Sequence, residues 1–158
     1  MVATDRQITQ KGLDESATQL IPALATAVVA RGATTGRMAL LGRQMAINQT
    51  CYALVTKLNT PFALHCQLRS RIDDLVQAAH GSVFDTITTR TFDAARFTLP
   101  PKPALEAFER LITPVFLRVL AGSGENRNLA ALRDTMLPKL ISGELCIARA
   151  QGLMEAVG

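Results

Sequence analysis

A chain of 158 residues with 48% hydrophobic and 19% charged side chains can bury a real core, which excludes wholesale disorder. With no Trp, one Tyr and six Phe that core must be mostly aliphatic, and a net charge of +4 permits nucleic-acid binding without demanding it. Three widely spaced cysteines, Cys51, Cys66 and Cys146, with no C-x-x-C, argue against both a disulfide framework and a zinc site.

The first residues, MVATDRQITQKG, are polar and lack the apolar stretch of a signal peptide. The most apolar window, LIPALATAVVA (20–30), is too short to cross a bilayer and contains Pro22, so a cytoplasmic location is expected. Residues 22–57 read as β structure: PALATAVVA, RGATTGR and MALLG make strand, glycine-rich turn, strand. QMAINQTCYALV (44–55) supplies a further strand. Thr60 caps and Pro61 opens a helix in which Leu64, Leu68, Ile72, Leu75, Val76 and Ala79 recur every three or four residues. That helix should span about 61–79 and end at Gly81. SVFDTITTRTF (82–92) and RFTLP (96–100) are short and β-prone.

The expected fold class is therefore α+β, a small unit of strands and a helix followed by a long C-terminal helix. The stiff PPKP (100–103) marks a boundary between residues 1–100 and a helix with its closing turn over 101–147, leaving a tail of 148–158. Beyond it Leu105, Phe108, Ile112, Val115 and Val119 alternate steps of three and four, the heptad seam of a coiled coil. Pro114 should kink this helix, and Gly122 and Gly124, either side of Ser123, weaken it by about 1 kcal/mol each. The stripe resumes with Leu129, Leu132, Met136 and Leu137, after which Pro138 should stop the helix and Ser142-Gly143 turn the chain. One helix with a weak middle is expected, two shorter helices being the alternative. A seam of that length cannot be covered by the first 100 residues, so its partner should come from another chain, possible copies of itself included.

Little in the chain points to catalysis. GATTGR (32–37) has three residues between its glycines and then Arg-Met, where a Walker phosphate loop needs four and then Lys-Ser/Thr. It is either a plain turn or a recognition turn, in which Arg31, Thr34, Thr35 and Arg37 reach phosphates or base edges. His65 lies on the amphipathic helix, and His80 either suits the helix dipole or contacts a phosphate. Asp73 and Asp74 diverge by about 100° on a helix and cannot serve one centre. No catalytic residue, metal site or cofactor is expected.

Three stretches, in order, resemble the DNA-specificity subunits of type I restriction-modification systems. LAALRDTMLPKLISGEL (129–145) is similar to the family's closing helix with its Leu-Arg-Asp…Leu-Leu-Pro-Lys-Leu…Ser-Gly-Glu pattern. IPALATAVVARGATTGRMALLGRQMAINQT (21–50) resembles the core of a target-recognition domain, with Asn48-Gln49 on the strand after the turn. GSVFDTITTRTFDAARFTLPP (81–101) is similar to that domain's exit into the spacer helix. The resemblance implies a non-catalytic subunit that grips one half of a bipartite duplex target while its helix sets the distance to the other half. It also implies docking of the methyltransferase (modification) subunits and, through them, of the restriction subunit. DNA contacts would then fall on Arg31, Thr34, Thr35 and Arg37, with Asn48 and Gln49 contacting DNA or bracing the turn, and His80, Gly81 and Ser82 near the backbone. Leu129, Leu132, Arg133, Asp134, Met136, Lys139, Ser142 and Glu144 would meet the methylase or a partner helix, although Arg133 and Asp134 equally fit a plain helix surface. A full subunit carries two recognition domains and two such helices, and here one of each is found, the first beginning part-way through. A C-terminal fragment and a half-subunit that pairs with its own copy are both compatible with that. The alternative from another class is a dimerisation module, or an inactive remnant, that touches no DNA.

Overall fold

The computed structural model describes residues 3–4, 6–79 and 86–145. In chain order the elements are α1 (Gln10–Asp14), β1 (Leu20–Ile21), β2 (Thr26–Val29), β3 (Met38–Leu40), β4 (Met45–Ala46) and β5 (Cys51–Leu54). They are followed by α2 (Pro61–Ala79), α3 (Thr89–Ala94) and α4 (Lys102–Ile141). The chain is α+β with a long C-terminal helix, and it divides into two compact units, residues 1–120 and 121–158.

The first unit is built around β2, the middle strand of an antiparallel sheet ordered β3-β2-β5. Side chains alternate across a strand, and here both faces of β2 are covered. Val28 and Ala30 face a cluster with Leu68, Ile72, Leu75 and Ala79 of α2 and with Ile87. Ala25 and Ala27 face Leu41, Met45 and Ile21, and Ile21 and Met45 pair with each other in the separate β1–β4 ribbon. Alanines on that face leave room for the ribbon. Thr26 is buried and its hydroxyl lies 3.1 Å from His65 Nδ1, so the polar group set in the core has a partner.

The amphipathic helix runs over Pro61–Ala79 as its spacing predicts. Three sequence expectations change. The stretch 44–55 is two short strands, because Asn48 Oδ1 accepts bonds from the Thr50 amide (3.2 Å) and hydroxyl (2.6 Å) and turns the chain between them. Residues 89–92, read as β-prone, lie in the helix Thr89–Ala94: the Thr88 and Thr91 hydroxyls each accept the other's backbone amide in a reciprocal cap. Pro138 does not stop α4. The helix passes through Pro114, Gly122, Gly124 and Pro138 and ends at Ile141, where Ser142 and Gly143, at φ +75°, turn the chain. A proline costs a helix one amide bond there, and that bond alone is not enough to end a helix of about eleven turns.

The expected seam on α4 also divides. Leu105 is buried in the first unit and Ile112 half-buried, while Phe108, Val115 and Val119 are exposed. Phe116 stacks on Phe62 at 4.9 Å with ring planes 14° apart, and meets His65 edge-on at 5.7 Å. The first half of α4 thus has a covered face within its own unit and an uncovered apolar face beside it.

His65 is held neutral by this setting: burial first, then the nearby Arg69 charge, lowers its pKa below the ordinary value of 6.5. A lowered folded-state pKa means the unfolded chain binds the proton more readily, so the His65 contribution is complete above about pH 6.5 and declines below it. Thermal melts of the wild type and His65→Gln should therefore converge in relative stability between pH 7 and pH 5. Curves that stay parallel across that window would exclude the effect.

Candidate nucleic-acid interface

Three segments meet at one end of the three-stranded sheet, and the backbone of Ala30 joins them. Its amide donates to the Thr50 carbonyl at 2.8 Å, and its carbonyl accepts the Ile87 amide at 2.9 Å. Ala30 itself opens the hairpin turn between β2 and β3. The turn 31–37, the Asn48–Thr50 loop and the start of α3 are therefore neighbours on a buried backbone support.

Within the turn, Gly36 donates its amide to the Val29 carbonyl at 2.9 Å and Arg37 donates to Thr34 at 3.0 Å. Thr35 is turned inward: its hydroxyl donates to the Gly32 carbonyl at 2.7 Å. Thr34, Arg31 and Arg37 are exposed. Gly36 adopts φ +84°, and a Cβ there would lie 2.5 Å from Val76 Cγ2, so the turn rests directly on α2. A loop whose base is pinned on a helix holds its side chains in place with little ordering cost on binding.

Asn48 spends its side-chain oxygen on Thr50, and so braces its own loop, beside which Gln49 is exposed. His80, Gly81 and Ser82 lie outside the described residues. Arg90, in the first turn of α3, is exposed at the same end and was not singled out by the sequence; no motif marks it, and only the Ile87–Ala30 bond places it there. Among the described residues Arg31, Arg37 and Arg90 form no ion pair. The surface thus offers three guanidinium groups, hydroxyls and amides, which suit phosphate and base-edge acceptors. No cluster of three or more His, Cys, Asp or Glu suited to a metal occurs among the described residues. Cys51 and Cys66 are free thiols, and burial, aided by the Glu109 charge, pushes the Cys66 pKa up and keeps it protonated.

In the second unit the closing residues bond mainly to one another. Arg133 pairs with Asp134 at 2.7 Å on the exposed helix surface, and Lys139 lies 3.9 Å from Glu144. The Ser142 hydroxyl donates to the Lys139 carbonyl at 3.2 Å and accepts the Glu144 amide at 3.4 Å. Ser142, Gly143 and Glu144 thereby finish the helix, with Lys139 at the end where the dipole favours a cation. Leu129, Leu132, Leu137 and Ile141 are exposed, and Met136 is half-exposed.

Two curated proteins match this chain. It is 27% identical over 84 residues to the type I restriction enzyme MjaIX specificity subunit of Methanocaldococcus jannaschii, covering 53% of this chain and 19% of that one. It is 29% identical over 97 residues to the type I restriction enzyme HindI specificity subunit of Haemophilus influenzae, covering 61% of this chain and 20% of that one. The chain is a relative of type I restriction specificity subunits. The match spans about a fifth of the length of these specificity-subunit relatives. No family model matches the sequence. No helix among the described residues is long and apolar enough to cross a membrane.

Proposed function

We propose that the chain is a non-catalytic, cytoplasmic DNA-recognition module of a type I restriction-modification system. The first unit grips one half of a bipartite duplex target through Arg31, Thr34 and Arg37, with Thr35 shaping the turn and Arg90 at its side. Asn48 holds the neighbouring loop in place and Gln49 stands beside it. His80, Gly81 and Ser82 belong to the same reading as backbone contacts. The exposed apolar residues of α4, with Arg133, Asp134, Lys139, Ser142 and Glu144 at its end, take the methyltransferase subunits and through them the restriction subunit, or the same helix of a second copy. No cofactor enters.

The observation that carries this reading is the likeness to specificity subunits, taken with a cation-rich turn anchored on a packed core. Selection from a pool of randomised duplexes should enrich one short motif. Arg31→Ala or Arg37→Ala should then weaken that motif alone by about 1–3 kcal/mol if the side chain reads a base edge. A phosphate contact instead weakens all duplexes alike and flattens the salt dependence of binding. Equal affinity for every duplex, before and after substitution, would refute base readout. The uncovered apolar face of α4 also fits a dimerisation module that binds no nucleic acid, and concentration-dependent association with no salt-sensitive DNA binding would select that reading.

A further inference from the structure

We propose that Glu109 is a positioning residue that fixes the direction of the 102–120 part of α4 within the first unit by capping α2 from outside that helix. The functional consequence rests on the DNA-recognition reading above; the joint itself does not. The first amides of a helix have no acceptor in its own ladder and need one from elsewhere. Thr60 was expected to supply it, but its hydroxyl lies against Thr56 Oγ1 at 3.4 Å. The cap comes instead from far along the chain. Phe62 donates its amide to Glu109 Oε1 at 3.1 Å and Ala63 donates to Oε2 at 2.7 Å. One carboxylate, on α4, thus closes two buried amides at the positive end of a 19-residue helix.

A second contact makes this a joint with a defined angle. Phe116 lies about two turns, roughly 10 Å, beyond Glu109 along α4, and it stacks on Phe62 of the same first turn of α2. Two points on one helix, both tied to the start of another, determine its direction. Leu105, on the same face one turn earlier, is 4% exposed and seals the near side. Aromatic stacking tolerates sliding, whereas a carboxylate shared by two adjacent backbone amides does not, so Glu109 is the group that sets the angle. In a module whose helix measures out the gap between two half-sites, that angle selects the gap.

The test uses the full chain as wild type, Glu109→Gln and Glu109→Ala. Residual dipolar couplings of residues 102–120 and of the sheet should fit one alignment tensor in the wild type. In Glu109→Ala the α4 couplings should require a separate, weaker tensor. Exchange at the Phe62 and Ala63 amides should quicken at least about tenfold, while Ala27 and Val28 in β2 are unchanged. Glu109→Gln, which keeps one oxygen acceptor, should fall between, and it supplies the readout if the alanine variant does not fold. A single tensor retained after substitution, or exchange faster across the sheet as much as at Phe62 and Ala63, overturns the proposal. Duplex selection separates the two claims. A loosened joint should enrich the same half-site with a broader spread of gaps. A loosened joint with an unchanged gap refutes the link between angle and gap, whereas no motif even for the wild type refutes the recognition reading and leaves the joint standing.

Discussion

Gly36→Ala should cost the first unit about 2–4 kcal/mol, the largest loss expected from any single methyl added to the turn. Two effects add. A side chain at φ +84° carries a left-handed strain of about 1–2 kcal/mol, and the new Cβ collides with Val76 Cγ2, with overpacking worth about 1–3 kcal/mol. A smaller gain, from a stiffer unfolded chain, is already allowed for. Gly32 provides the internal control. Its φ is +94° but nothing lies within 4 Å of a Cβ there, so Gly32→Ala should show the strain alone. Val76→Ala combined with Gly36→Ala should recover part of the collision, as a coupling of at least about 0.5 kcal/mol. Urea unfolding of the wild type, the three single variants and the double variant decides it. Equal losses for the two glycine variants, or strict additivity with Val76→Ala, would mean that the turn does not rest on α2.

Leu129→Asp together with Leu132→Asp should abolish association through α4. The two side chains sit three residues apart on one helix face and are exposed in the single chain, so their removal leaves little to lose within it. A partner that covered them would gain about 1.5–3 kcal/mol from each leucine. Losing both lowers affinity by about 3–6 kcal/mol, two to four decades in Kd. Sedimentation of a dilution series, and capture of purified methyltransferase subunits, should both collapse in the variant. A wild-type chain that sediments as one unassociated copy at every concentration and captures no such subunit would refute any partner on this face.

Helix α2 could be read from the sequence because its whole signal is local: a proline start and six apolar positions at helical spacing. The hairpin was legible for the same reason, since Gly32 and Gly36 punctuate two apolar runs and the structure turns between them. Helix α3 was hidden because two threonines cap each other, and threonine is also a strand residue, so propensity pointed the wrong way. The seam of α4 was misread in part. Apolar spacing shows that a helix has an oily face but not which neighbour covers it, and Leu105 and Phe116 are covered within the unit while Phe108 and Val115 are not. Glu109 was invisible for a plainer reason: its partners Phe62 and Ala63 lie 47 and 46 residues away, and a glutamate on a helix reads as a surface charge. At the hairpin end of the sheet, Arg31 and Arg37 stand out beside glycines, whereas Arg90 joins them only through a backbone bond that leaves no trace in residue type.

That backbone bond has a bearing on how such a module could be retargeted. Ala30 gathers its three neighbouring loops through its peptide group alone, N–H to one and C=O to another, and its methyl is turned into the core. Since none of those ties involves a loop side chain, Arg31, Thr34, Arg37 and Gln49, which are presented outward there, can be exchanged with little penalty to folding. Under the proposed DNA-recognition function, altered sequence preference could then accumulate one substitution at a time on an unchanged frame.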